Sequence, residues 1–219
     1  MRLLEHLWYS IVGIVLGAGI GLPLGLLTGH TGRGSFAAAA LSNYWRALPT
    51  LGVVVLVFRL APLSVWPVLA ALVAIAVPPI LLNTDAGLRS VDEAVRDAAA
   101  GMGLTSSQRL WRVEVPVALP LIVTGLRSAS AQVIATTSVA AFVGLGGLGR
   151  YIIDGYASRD LAQITAGAVL IAATALLVDG CFALAQRRLT SRPRARAPVH
   201  FGRLPALTGS TRPRKETSS

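Results

Sequence analysis

The sequence predicts an all-α integral membrane protein with about five transmembrane helices. Three observations carry that. Charged residues make up only 14% of the 219 and hydrophobic residues 53%, whereas a soluble domain of this length carries about 25% charged. The mean hydropathy is +0.63. Apolar stretches of about 20 residues, the length that crosses a hydrocarbon core as a helix, recur along the chain. The 22 Gly and 12 Pro agree, since both are commoner in membrane helices than in soluble ones. The expected division is a membrane domain, residues 1–190, and a basic tail, residues 191–219.

The spans follow in order at residues 8–29, 36–58, 62–82, 120–145 and 161–185. The first begins near a basic residue, Arg2, like a secretory leader. It is longer than the usual 7–15-residue apolar region of a leader, so a retained span is expected. The second contains Asn43, Arg46 and Pro49. The fourth contains Arg127 and several hydroxyls, and the fifth is apolar up to Asp179.

Orientation follows the distribution of Lys and Arg in short loops and flanks. Nine basic residues lie between Arg187 and Lys215, so the tail is expected in the cytoplasm. Counting back through five spans puts the amino terminus outside and the loop at 85–116, with Arg89, Arg96, Arg109 and Arg112, inside. The tail accounts for most of the net charge of +10. Beside a bilayer each basic residue gains about 1 kcal/mol against anionic lipid. Phe201 is the one Phe, Tyr or Trp among these charges, so there is no repeated aromatic interleaving, and lipid rather than nucleic acid is the expected partner. Rich in Arg, Pro, Ser and Thr, the tail has the composition of a disordered segment.

Several residues within the spans stand out. Gly13, Gly17, Gly21, Gly25 and Gly29 recur every fourth position, which aligns them on one helix face and suits close helix packing. Sequence leaves open whether that contact lies within the chain or across a dimer. A charge at mid-bilayer costs about 2.5–3.5 kcal/mol, so Arg46 is expected to face a wet pathway or to mark a helix break. Gln132, Thr136 and Thr137, part of a polar run in the fourth span, are candidate pathway-lining residues. Arg127 is expected to snorkel to the membrane edge, Cys181 to be a small core residue, and His6, His30 and His200 to be solvated. The run from Gly144 to Gly149 matches G-x-G-x-x-G but closes a membrane helix rather than opening one after a strand. It is expected to be flexible backbone at an outer mouth.

The segment 85–116 has its own local grammar. Ser90-Val91-Asp92-Glu93 and Thr105-Ser106-Ser107-Gln108 both fit the capping box. Gly101 and Gly103 stop the first helix, and a side chain at Gly103 would strain that stop. Pro116 is expected to end the second. Four Arg against five acids leave no positive field for phosphate contacts. A structured polar loop between membrane spans is therefore expected to dock a protein.

The spacing Asp97-Ala98-Ala99, three residues, Gly103, nine residues, then Val113-Glu114-Val115-Pro116 resembles the EAA loop of bacterial ABC-importer permeases. Asp stands for the usual Glu, and Val115 for the usual Leu. Residues 48–51, 83–88, 101–105, 108–113 and 144–149 are similar to the osmoprotectant branch, which handles glycine betaine, choline, carnitine or proline. The resemblance covers about residues 5–188. It implies a type I importer transmembrane domain with a cytoplasmic coupling helix, in which Asp97, Ala98, Ala99, Gly103, Leu104, Arg109, Val113 and Pro116 form the ATPase-coupling loop. It further implies two cytoplasmic ATPase subunits holding ATP and Mg, an extracytoplasmic substrate-binding protein, a second permease copy or paralogue, and a bacterial inner-membrane location.

No cofactor or metal is expected on this chain itself, and no enzymatic activity. The sequence has no G-x-x-x-x-G-K-[ST] phosphate loop and no Ser-His-Asp set, H-E-x-x-H motif or paired intramembrane carboxylates. The alternatives are a methionine-type or other amino-acid importer and, in another class, an ATP-independent channel or secondary carrier. The last needs ion-coupling groups in the membrane, for which Asp179 is the one span carboxylate.

Overall fold

The computed structural model describes residues 1–34 and 65–190, together with positions 40 and 52. Among the described residues, four helices are long and apolar enough to cross a membrane. They are α1 (Arg2–Thr31), α2 (Trp66–Arg89), the continuous rod Ser106–Phe142, and α7 (Leu161–Thr190). The rod contains α4 (Ser106–Arg109), a π-turn (Leu110–Glu114), α5 (Val115–Thr137) and a closing 3₁₀ turn (Ser138–Val143). Between α2 and the rod lies α3 (Glu93–Gly101), and before α7 lies α6 (Gly149–Ser158). The span expected at 36–58, with Arg46, falls outside the described residues, as do the tail and His200.

The α1 glycines decide how the bundle is built. Apart from His6 and Ser10, the buried residues of α1 are Gly13, Gly17, Gly21, Gly25 and Gly29. Each faces one α2 residue, in order Leu72, Ala76, Ile80, Thr84 and Leu88. The two helices therefore run parallel with a constant register, and the contact lies within the chain. A Cβ on Gly25 would sit 2.6 Å from the Thr84 Cβ and 2.8 Å from the Leu81 carbonyl oxygen. The bare glycine face thus lets α1 approach the α2 backbone itself, as small-residue seams do in lipid. Parallel packing also puts residues 32 and 65 at opposite ends of the bundle.

Helix α2 is the centre. Its other side meets α5 antiparallel, again through small residues: Gly125 lies on Pro79 and Asn83, and Gly87 lies on Ala118. Val68, Leu72, Ala76 and Ile80 of α2, with Ala129 and Val133 of α5, form the main buried cluster. Helix α7 is peripheral, with 6% of its apolar window buried against 56% for α2. Polar side chains hold it to α5, Gln186 among them through the Thr124 hydroxyl at 2.9 Å. Arg127 grips Asp179 with two donors, its second amine at 2.6 Å, and Gln186 donates to the Pro120 carbonyl at 3.1 Å. Arg127 therefore does not snorkel away; it is paired across the α5–α7 contact, as a charge in lipid requires. Cys181 is exposed on α7 rather than buried in a core.

At the end of the bundle opposite α3, the glycine run packs rather than floats. Glu5 accepts a hydrogen bond from the Gly147 amide at 3.0 Å, and Gly149 lies directly on the Ser138 carbonyl. Arg2 bridges to Asp154 at 3.0 Å and stacks over Tyr151 at 4.7 Å. Beside them His6 is fully buried, with Nε2 3.1 Å from the Ile134 carbonyl oxygen. It is not the solvated end residue that its sequence position suggests.

Candidate functional site

The loop between α2 and α5 is built from two stops and two starts. Helix α2 runs on to Arg89 because Leu88 is fully buried, and Ser90 closes it by donating to the Gly87 carbonyl at 2.7 Å. The expected Ser90 cap of α3 is therefore wrong. Asp92 is the N-cap, accepting from the Ala94 amide at 3.0 Å. Both residues are good caps; burial of Val91 between them decides which helix each serves. Helix α3 ends in a Schellman pair: the Leu104 amide donates to the Ala99 carbonyl at 3.2 Å and the Gly103 amide to the Ala100 carbonyl at 2.9 Å. Gly103 has φ +81°, and a Cβ there would meet nothing within 4 Å. Its requirement for glycine is one of backbone conformation, not of space.

Thr105 and Gln108 form the second capping box as expected, at 3.3 Å and 3.0 Å. The helix it starts does not end at Pro116. It widens into the π-turn, where the Val115 amide reaches the Leu110 carbonyl, and continues into α5. A proline lacks the amide for the regular ladder and crowds the carbonyl four residues back. The wide turn just before Pro116 absorbs both defects. The second half of the loop, from Ser106, and the span are consequently one rod.

The expected site residues divide by position. Asp97, Ala98, Gly103 and Pro116 are exposed, Leu104, Arg109 and Val113 half-buried, and Ala99 buried as the anchor of α3. With Ala98, Val95 and Met102 make an exposed apolar strip on α3; the last two are 46% and 73% exposed. Sequence reasoning passed over Val95 and Met102, although their spacing from Ala98 was the available signal. Asp97 also lines a cavity of about 390 Å³ with Gly29, Gly32, Arg89, Glu93, Arg96 and Arg109.

Under that cavity lies a polar cluster that sequence reasoning missed. Glu114, 1% exposed, has its Oε2 2.6 Å from His30 Nδ1. Arg96 and Arg109 approach its other oxygen at 3.6 Å and 3.5 Å. His30 Nε2 lies 2.7 Å from the Ser106 hydroxyl, so this histidine too is engaged rather than solvated. The one hint in sequence was a carboxylate set between valines ahead of Pro116.

The candidate pathway residues separate as well. Gln132 is exposed and Thr136 half-buried on α5. Thr137 is fully buried, hydrogen-bonded to Ser10 of α1 at 3.0 Å and to the Val133 carbonyl at 2.8 Å. It joins helices and lines nothing. Among the described residues no group of three or more His, Cys, Asp or Glu is arranged to hold a metal ion.

The model of the family described as binding-protein-dependent transport system inner membrane component matches residues 21–195. The chain is 31% identical over 188 residues to the glycine betaine/carnitine/choline transport system permease protein OpuCB of Bacillus subtilis (strain 168), covering 86% of this chain and 87% of that protein. It is 32% identical over 186 residues to the choline transport system permease protein OpuBB of the same organism, covering 85% and 86%. Against the osmoprotectant import permease protein OsmW of Salmonella typhimurium it is 30% identical over 192 residues, covering 80% and 84%. Among solved structures, a chain of the inward-facing MetNI methionine ABC transporter matches with a TM-score of 0.74 and 22% identity, covering 86% of this chain and 94% of that one. At that identity the likeness speaks for the fold.

Proposed function

The chain belongs to the family of binding-protein-dependent transport system inner membrane components, and from that membership we propose that it forms the solute pathway of an ATP-driven importer of glycine betaine, choline or carnitine. The observation that carries the mechanism is the unbroken rod. The second helix of the loop, α4, continues through the π-turn into α5 without a break, and the short turn at Gly103 joins it to α3, which carries the apolar strip Val95, Ala98 and Met102. Work done on the loop is thereby delivered to a membrane helix.

In this reading two ATPase subunits hold ATP and its magnesium, and α3 with the start of α4 sits in a groove of one of them. Asp97, Ala98 and Gly103 lie at that contact, while Ala99, Leu104, Arg109 and Val113 hold the loop to the bundle. Closure of the ATPases pushes the rod, and α5 turns against α2. Two permease copies, or this chain and a paralogue, enclose the path, onto which Gln132 and Thr136 face. An extracytoplasmic binding protein delivers the solute, and its aromatic side chains grip the ammonium group. The loop and the carboxyl end of α7 are cytoplasmic: both lie at the α3 end of the bundle, and the sequence clusters arginines in the loop and from Arg187 onwards, as positive-inside orientation demands.

The relatives named for choline and glycine betaine favour those solutes over methionine, since the methionine transporter likeness is one of fold. A secondary carrier is disfavoured because its one candidate coupling carboxylate, Asp179, is engaged by Arg127.

The experiment is reconstitution of the permease with its neighbouring ATPase and binding protein in proteoliposomes. Radiolabelled choline and glycine betaine should enter only with ATP inside the compartment that exposes the loop. Uptake without any ATPase subunit, or ATP-driven uptake of methionine in place of both, refutes the proposal.

A further inference from the structure

Glu114 carries a cost that docking of the loop does not explain. A buried carboxylate is expensive unless opposite charges and hydrogen bonds meet it. Here they come from separate elements: His30 from the end of α1, Arg96 from α3 and Arg109 from α4. Arg96 also donates to the Leu88 carbonyl at the end of α2, at 2.6 Å, and His30 reaches Ser106. One side chain at the π-turn thus ties the docking loop to all three central membrane helices.

The two sides of the carboxylate differ. The His30 contact is a 2.6 Å hydrogen bond. On the other oxygen, the two arginine contacts are long, and neither guanidinium Nε nor Glu114 Oε1 makes a hydrogen bond. The carboxylate is held firmly towards α1 and loosely towards the loop. Two guanidinium groups sharing one oxygen at 3.5 Å and 3.6 Å leave room for either to close in as α3 and α4 shift.

We propose that Glu114 is a positioning residue that passes movement of the docking loop into α1 and α5. Displacement of α3 against α4 exchanges which arginine holds Oε1. The reorientation of the carboxylate pulls on His30, and through it on α1. Glu114 touches neither solute nor nucleotide. The proposal rests on the loop being the ATPase contact.

The test uses the whole transporter in proteoliposomes, with solute import and ATP hydrolysis read in the same sample. Glu114→Gln keeps the shape and removes the charge. It should lower import about tenfold, the size of a lost charge-assisted bond, while hydrolysis stays within about twofold. The solute imported per ATP then falls about tenfold, and Glu114→Asp should recover part of it. His30→Gln, which cuts only the α1 arm and leaves the arginine pairs, should lower the same ratio even if Glu114→Gln fails to assemble. Parallel loss of import and hydrolysis in both variants, or a wild-type ratio in both, overturns the proposal. Failure of the unmutated permease to hold an ATPase subunit at all sinks the docking reading instead, and this proposal with it.

Discussion

Substitution of Gly25 by alanine tests the packing of the bundle most directly. The new methyl would lie 2.6 Å from the Thr84 Cβ and 2.8 Å from the Leu81 carbonyl oxygen, where carbon contacts settle at about 3.5–4.0 Å. Helix α1 must retreat by about 1 Å, because the opposing atoms are a Cβ and a backbone oxygen that no rotamer change can move. In a seam of constant register the retreat also opens the contacts of Gly21 and Gly29. Overpacking of this kind costs about 1–3 kcal/mol. Alanine returns up to about 1 kcal/mol of helix propensity, which would blur a single measurement. Gly19→Ala removes that ambiguity. Gly19 is exposed on the same helix with nothing within 4 Å of its Cβ, so it gains the propensity without the clash. The difference between the two variants isolates the seam at about 2 kcal/mol, or about 4–8 °C in Tm for a chain of this size. Thermal unfolding in detergent, followed by circular dichroism, measures it. Equal melting temperatures for Gly25→Ala and Gly19→Ala would refute the argument that α1 and α2 meet backbone to backbone.

Three further outcomes are expected. Gly103→Val should leave membrane insertion intact but lower import about 5–30-fold, because a β-branched residue at φ +81° disfavours the left-handed stop by about 1–2 kcal/mol; uptake beside membrane fractionation checks this. Asp179→Arg and Arg127→Asp should each lower the melting temperature, and the double reversal should regain more than half of the loss, since the bidentate pair bridges α5 and α7. Thr105→Ala should speed hydrogen exchange at the Gln108 amide about fivefold, the equivalent of about 1 kcal/mol of lost capping, with Leu88 in α2 unaffected.

Much of this fold is written locally. Span length and composition located α1, α2, α5 and α7 to within a turn or two at most ends, because about 20 apolar residues can do little else than cross lipid. The Thr105–Gln108 box and the Gly103 stop were legible for the same reason: a cap is made by residues within four positions of one another. Where local signals competed, the sequence misled. Ser90 and Asp92 both suit a helix start, and only the burial of Leu88 and Val91 assigns them to different helices. Pro116 suits a helix end, yet the π-turn carries the rod past it.

The sequence by itself determined that this is a helical membrane protein with a capped polar loop and a glycine stripe, properties set by neighbours along the chain. Tertiary structure alone decided that the stripe meets α2, that Arg127 finds Asp179, and that His30, Arg96 and Arg109 converge on Glu114. Those partners are separated by 52 residues for Arg127 and Asp179 and by 84 for His30 and Glu114. A helix face declares what it is made of, but which face it meets depends on how all the helices share the interior. No periodicity within a single helix contains that information.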